Sequence, residues 1–216
     1  MNHYGIFPEM GEFSFALKTF GCQMNVADDD ALARELAARG GVQVTDACAA
    51  DLIIINTCVV RQKAEDKAFS FVGSLRPLTE GRLPAQPVNL SAPKLLAQSD
   101  SPARTRSRPL IAVVGCLVPK SGEELRRKFG YVDLIVPTSE PAEVIAALSE
   151  VMPLPQRAET AATTFATPGP QLPASCTAAA GEGEALQLDT RLSGLVTVQR
   201  GCSHACSFCI VPHVRG

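Results

Sequence analysis

The run Leu52-Ile53-Ile54-Ile55-Asn56-Thr57-Cys58 decides the fold class. Four large aliphatic residues in a row, without polar alternation, describe a strand buried on both faces, as in a parallel sheet covered by helices on each side. The same signal returns at Leu110-Ile111-Ala112-Val113-Val114, which ends in Gly115-Cys116. Upstream, Phe13 to Phe20 alternates apolar and polar residues and reads as a further strand, running into Gly21-Cys22-Gln23-Met24-Asn25.

Helical patterns separate these strands. Asp28-Asp29-Asp30 offers a cap for a helix carrying Leu32 and Leu36, and Gly40-Gly41 stops it before a short strand at Val42 to Val44. After Cys58, a helix is expected from Arg61 to Leu75, with Phe69 and Val72 on one side. Ser121-x-x-Glu124 reads as a capping box for a helix from Glu123 to Phe129. Val132 to Val136 reads as a strong fourth strand, and Pro141 opens a helix reaching Val151. Strands alternating with helices specify an α/β fold, an open parallel sheet flanked by helices.

The division of the chain follows from composition. Residues 1–12 read as a leader and 13–151 as the α/β domain. Within it, 77–109 is a proline-rich irregular insertion holding Arg104, Arg106 and Arg108. Those arginines are either a solvated loop or an RNA-contacting segment. Residues 152–190, rich in Pro, Ala, Thr and Gly, read as a linker. Residues 191–216 begin a new domain with a strand at Leu195 to Val198, and the end at Gly216 makes that domain read as truncated.

Eight cysteines stand out in a chain with 46% hydrophobic and 19% charged residues and a net charge of −2. That charge gives no global attraction to nucleic acid, so any RNA surface is a local patch. The N-terminus has no basic and apolar signal-peptide pattern, and no apolar run approaches ~18 residues. A cytoplasmic location without a membrane span is therefore expected, where clustered cysteines mean metal or catalysis more often than disulfides.

Two cysteine patterns carry chemistry. Cys202, Cys206 and Cys209 form C-x3-C-x2-C on one short loop. Three soft thiolates there suit three corners of an iron-sulfur cluster and leave the fourth iron free for a substrate or cofactor. The alternatives are zinc, with His204 or His213 as fourth ligand, or unligated thiols. Cys22, Cys58 and Cys116 each follow a predicted strand, and each comes after a small residue: Gly21, Thr57 or Gly115. Strand carboxyl ends share one edge of an open sheet, where ligands bind. If the strands are neighbours, these cysteines make a second three-thiol site; otherwise they are small buried hydrophobes. Cys48 and Cys176 lack either placement and read as incidental.

The loop with Phe208 ahead of its last cysteine resembles the signature of radical S-adenosylmethionine enzymes. Thr19-Phe-Gly-Cys-Gln-Met-Asn25, Asn56-Thr-Cys-Val-Val-Arg-Gln-Lys-Ala-Glu65, Gly115-Cys116 and Gly201 to Gly216 together resemble the methylthiotransferase family within that group, in its tRNA-modifying branch. The resemblance implies that Cys202, Cys206 and Cys209 hold a radical 4Fe-4S cluster, and that Cys22, Cys58 and Cys116 hold an auxiliary one involved in sulfur delivery. It implies S-adenosylmethionine as methyl donor and as source of a 5′-deoxyadenosyl radical. The implied reaction is methylthiolation at C2 of N6-isopentenyladenosine beside the anticodon of tRNA. A flavodoxin-type electron donor and a sulfur donor are implied partners.

The radical domain is matched only at its opening, as the start of a partial barrel, so the fragment is expected to be inactive alone. His213 departs from the tyrosine frequent in that branch. His204 and Arg215 either border the cofactor or are solvated. A sister enzyme acting on threonylcarbamoyl-adenosine or on a ribosomal protein aspartate, and a non-catalytic metal-binding module, are the competing readings.

Overall fold

A computed structural model describes residues 13–82, 106–155, 197–204 and 206–215. The leader, most of the 77–109 insertion with Arg104, nearly all of the 152–190 linker and Cys176 lie outside the described residues. The chain forms two compact units, Met1–Arg157 with Leu195–Gly216, and Ala158–Gly194. All the described residues belong to the first.

The sheet has five strands: β1 (Phe13–Phe20), β2 (Gly41–Gln43), β3 (Leu52–Thr57), β4 (Leu110–Gly115) and β5 (Leu134–Val136). Every pairing is parallel, and the spatial order is β2-β1-β3-β4-β5. The order reverses between β1 and β3, the switch point at which an open doubly wound sheet leaves a crevice beyond its strand ends. Register brings β1, β3 and β4 to that edge together, with Phe20 opposite Thr57 and Thr57 opposite Gly115.

The continuous aliphatic runs are buried on both faces, as a parallel sheet requires. Leu52, Ile54, Ala112 and Val114 pack with Leu32 and Leu36 of α1 (Gln23–Ala37) and with Val144 and Leu148 of α5 (Pro141–Val151). Ile53, Ile55, Ile111 and Val113 turn the other way. They meet Val72 of α2 (Gln62–Ser74), Leu78 of α3 (Arg76–Thr79) and Leu125 of α4 (Val118–Lys128). One run of side chains thus supplies both layers.

Several local expectations change. The three aspartates do not cap α1: the helix begins at Gln23 with Cys22 as its N-cap, and Asp28 and Asp29 are buried within it. They stand four and three residues before Leu32, so helical spacing puts them on its inward face. Ser121 does not open a helix either. It lies inside α4 and donates to Glu65 at 2.9 Å. Pro77 falls within α3 rather than in irregular chain. The fourth strand shortens to Leu134–Val136 because the Asp133 carboxylate, not another strand, takes up the Ile111 N–H at 2.9 Å. Of the expected strand at Leu195 to Val198, the first two residues lie outside the described residues, and Thr197 to Arg200 pairs with no strand. An extended segment needs a neighbour to complete a ladder.

Two of the insertion's arginines fall among the described residues. Arg108 forms a two-pronged ion pair with Asp133, at 2.7 and 3.1 Å, and the Arg106 backbone N–H donates to Asp51 at 2.9 Å.

Candidate cysteine site at the sheet edge

Cys58 directly follows β3, Cys116 directly follows β4, and Cys22 is two residues beyond β1. Because these are neighbouring strands ending in one row, three cysteines far apart in sequence arrive at one edge. Cys58 and Cys116 are buried and Cys22 is half-buried. Burial pushes the Cys58 thiol above its ordinary value, and the nearby Cys116 and Cys22 push it further the same way. Cys58 therefore lies within electrostatic reach of both other cysteines.

Hydrogen bonds brace this edge. Asn25 Nδ2 donates to Asn56 Oδ1 at 2.8 Å and to the Thr57 carbonyl at 3.1 Å. Asn56 Nδ2 donates to the Asn25 carbonyl at 3.1 Å and to Asp29 Oδ1 at 2.7 Å. The Cys22 N–H and its Sγ both lie 3.3 Å from Asn25 Oδ1. Thr57 Oγ1 donates across to the Val114 carbonyl at 2.7 Å, and Cys116 Sγ to the Thr57 carbonyl at 3.5 Å. Gly115 makes the close approach possible. Its φ is +104°, and a Cβ there would sit 2.5 Å from the Thr57 carbonyl oxygen.

Desolvation dominates at Asp29 and raises its pKa from 3.8 to about 7, although hydrogen bonds from Thr19 and Asn56 pull the other way. Among the described residues, no group of three or more His, Cys, Asp or Glu is spaced for a single metal ion. A multi-iron cluster spreads its ligands more widely than one ion does.

The loop with Cys202, Cys206 and Cys209 lies in the same compact unit. Cys202 and Cys209 are half-buried and Cys206 is exposed. Gly201 turns the chain with φ +70°, the Cys209 N–H closes onto the Cys206 carbonyl at 3.1 Å, and α6 (Val211–Arg215) follows. His204 and His213 are exposed. Arg200, before the loop, and Arg215, after it, both reach Asp28. A cavity of about 290 Å³ between these parts is lined by Cys116, Glu140, Glu143, Arg200, Val214 and Arg215, among others.

Arg215 provides the test of what suits this edge. Burial lowers its pKa, but Cys116 leads the charges that raise it above the ordinary value, followed by Asp28 and Cys22. Its Nη2 is buried without a hydrogen-bond partner. Three soft thiols beside a spare cationic donor suit a sulfur-rich anionic group such as an iron-sulfur cluster. Sequence reasoning missed Asp28, Asn25 and Asn56; the inward spacing of Asp28 from Leu32 was the signal that could have found the first.

Residues 14–137 match the family model described as "Uncharacterized protein family UPF0004". Several curated relatives bear the name tRNA-2-methylthio-N(6)-dimethylallyladenosine synthase. One, from Geobacter metallireducens, is 34% identical over 207 residues, covering 95% of this chain and 38% of the relative. Another, from Desulfotalea psychrophila, is 30% identical over 213 residues, covering 96% and 39%. A third, from Acidithiobacillus ferrooxidans, is 34% identical over 205 residues, covering 93% and 37%. The chain thus spans under two fifths of the length of these relatives. No helix among the described residues is long and apolar enough to cross a membrane. Since the matched span runs through all five strands and carries Cys22, Cys58 and Cys116, the chain belongs to the UPF0004 family.

Proposed function

We propose that this chain is part of a radical S-adenosylmethionine methylthiotransferase, acting at C2 of N6-isopentenyladenosine beside the anticodon of tRNA. In this reading Cys22, Cys58 and Cys116 hold an auxiliary 4Fe-4S cluster, and Cys202, Cys206 and Cys209 hold the radical one. The observation that carries it is the shared row end of β1, β3 and β4, which delivers three thiols to the switch-point edge. The names of the relatives support the choice of substrate. The domain division follows: 13–151 bears the auxiliary site, and 191–216 opens the radical domain.

When bound, the clusters and S-adenosylmethionine supply one-electron bond cleavage and transfer of a sulfur-bearing group. The chain's own residues do the rest. Cys58 and Cys116 lie below the surface, so water and solvent thiols are kept from the auxiliary site. Asn25 and Asn56 fix the loops that present Cys22 and Cys58. Arg215 offers positive charge to a thiolate-rich group. An electron donor of the flavodoxin type, a sulfur donor and a cytoplasmic location complete the proposal.

The test is anaerobic reconstitution with iron and sulfide, followed by iron counting and Mössbauer spectroscopy. About eight irons per chain are expected for two 4Fe-4S clusters. Replacing either cysteine trio with alanine is expected to halve the count. Four irons lost only with Cys202, Cys206 and Cys209 would show that the strand-end cysteines are core residues.

A further inference from the structure

Asp28 sits on α1 with its side chain fully buried. Three separate parts of the chain converge on its carboxylate. Ser139 Oγ, just beyond β5, donates to Oδ2 at 2.5 Å. Arg200 Nη2 pairs with Oδ1 at 2.6 Å, and Arg215 Nη1 approaches Oδ2 at 3.4 Å. Arg200 also pairs with Glu140 through Nε at 3.0 Å. The two arginines bracket the cysteine loop: Arg200 is two residues before Cys202, and Arg215 is six after Cys209.

We propose that Asp28 is the docking anchor of the Cys202–Cys209 loop: its buried carboxylate holds the arginine on each side of the loop and so sets the loop against the edge bearing Cys22 and Cys116. A buried carboxylate is costly unless it is paired and hydrogen-bonded, and here both guanidiniums come from the loop's flanks. Holding a loop at both ends restricts it far more than one tether would, because each end is denied independent motion. Arg215 extends the arrangement, since the guanidinium that meets Asp28 also lines one cavity with Cys116. One side chain near the second cysteine set is thereby keyed to the first. Asp28 acts through the arginines and is a positioning residue, not a catalytic one.

The significance for a two-cluster enzyme rests on the proposed function, but the docking is measurable without iron. The experiment is hydrogen–deuterium exchange of the full 216-residue chain, unreconstituted, read by mass spectrometry. Peptides covering 197–215 report the loop, and peptides covering β3 and β4 report the fold. Asp28→Asn keeps the side chain's shape and a hydrogen bond to Ser139. It is expected to speed exchange in 197–215 at least tenfold while β3 and β4 stay protected. The pair Arg200→Gln with Arg215→Gln is expected to do the same, and adding Asp28→Asn to that pair should change the loop less than twofold further.

Unchanged loop exchange in Asp28→Asn, or fully additive effects in the triple variant, would overturn the anchor. If Asp28→Asn loosens the whole sheet, the arginine pair decides alone: a loop as protected as in the unaltered chain refutes the proposal. Iron counting of the same variants separates the two ideas. A chain that never binds iron but shows the loop effect retains the anchor and loses the cluster reading.

Discussion

Asn25 and Asn56 hold each other face to face across the sheet edge, each donating its side-chain amide to an oxygen of the other, at 2.8 and 3.1 Å. One follows Cys22 by three residues and the other precedes Cys58 by two. The exchange therefore locks together the two loops that leave β1 and β3.

Breaking that exchange should destabilise the fold before it touches any chemistry. Asn56→Ala removes three buried hydrogen bonds, two with Asn25 and one with Asp29. Orphaned buried groups cost about 1–3 kcal/mol each, so a total loss on the order of 3 kcal/mol is expected. Urea denaturation measures it. A change under about 1 kcal/mol would mean that water replaces the amide without penalty.

Asp29 should give the fold a distinctive pH dependence. Its folded value, about 7, lies above the ordinary 3.8 because burial disfavours the charge. Between about pH 4 and pH 7 the folded chain keeps a proton that the unfolded chain has released. The stability due to this group is thus complete below about pH 4 and lost as pH rises to about 7, with a slope approaching about 1.4 kcal/mol per pH unit. Asp29→Asn should remove that slope. Urea midpoints from pH 4.5 to 7.5 should therefore diverge, with the variant gaining on the unaltered chain, and parallel curves would refute the assignment.

The thiols should separate by reactivity in the iron-free chain. Cys206 is exposed, Cys22, Cys202 and Cys209 are half-buried, and Cys58 and Cys116 are buried. Cys58 also resists ionisation, chiefly through burial, and the thiolate is the reactive form. Timed iodoacetamide labelling, read by peptide mass spectrometry, should modify Cys206 at least tenfold faster than Cys58. Comparable rates would show that the strand-end site opens freely.

Gly115 should tolerate no side chain. Gly115→Ala forces a residue with a Cβ to φ +104°, with that carbon 2.5 Å from the Thr57 carbonyl and 2.7 Å from Asn56 Oδ1. Backbone strain of this kind costs about 1–3 kcal/mol, and the clash adds to it. The expected readouts are a lower urea midpoint and reduced iron retention by the Cys22, Cys58 and Cys116 set. Normal iron with normal stability would show that the turn relaxes.

What the sequence disclosed follows how local each cause is. The runs Leu52 to Ile55 and Leu110 to Val114 announce buried parallel strands because every residue in them needs an apolar neighbour on one face or the other. The placement of Cys22, Cys58 and Cys116 after three strands was legible for the same reason, and their convergence required only that the strands be neighbours. The aspartates misled because a run of acids ordinarily marks a solvated helix start. Their real partners are Ser139, Arg200 and Arg215 for Asp28, and Thr19 and Asn56 for Asp29. Ser121 misled similarly, since its motif satisfies a capping box while its hydroxyl serves Glu65 on α2. Local patterns report local bonds, and these side chains bond across the fold.

The long reach of Asp28, to positions 172 and 187 residues later in the chain, also sets an order of events during synthesis. The sheet, with Asp28 on its α1, leaves the ribosome well before either arginine exists. Contacts of such separation close late, because the intervening chain must first give up its freedom. Thus the sheet and its strand-end cysteines take shape first, and the segment carrying Cys202, Cys206 and Cys209 is fastened to them afterwards.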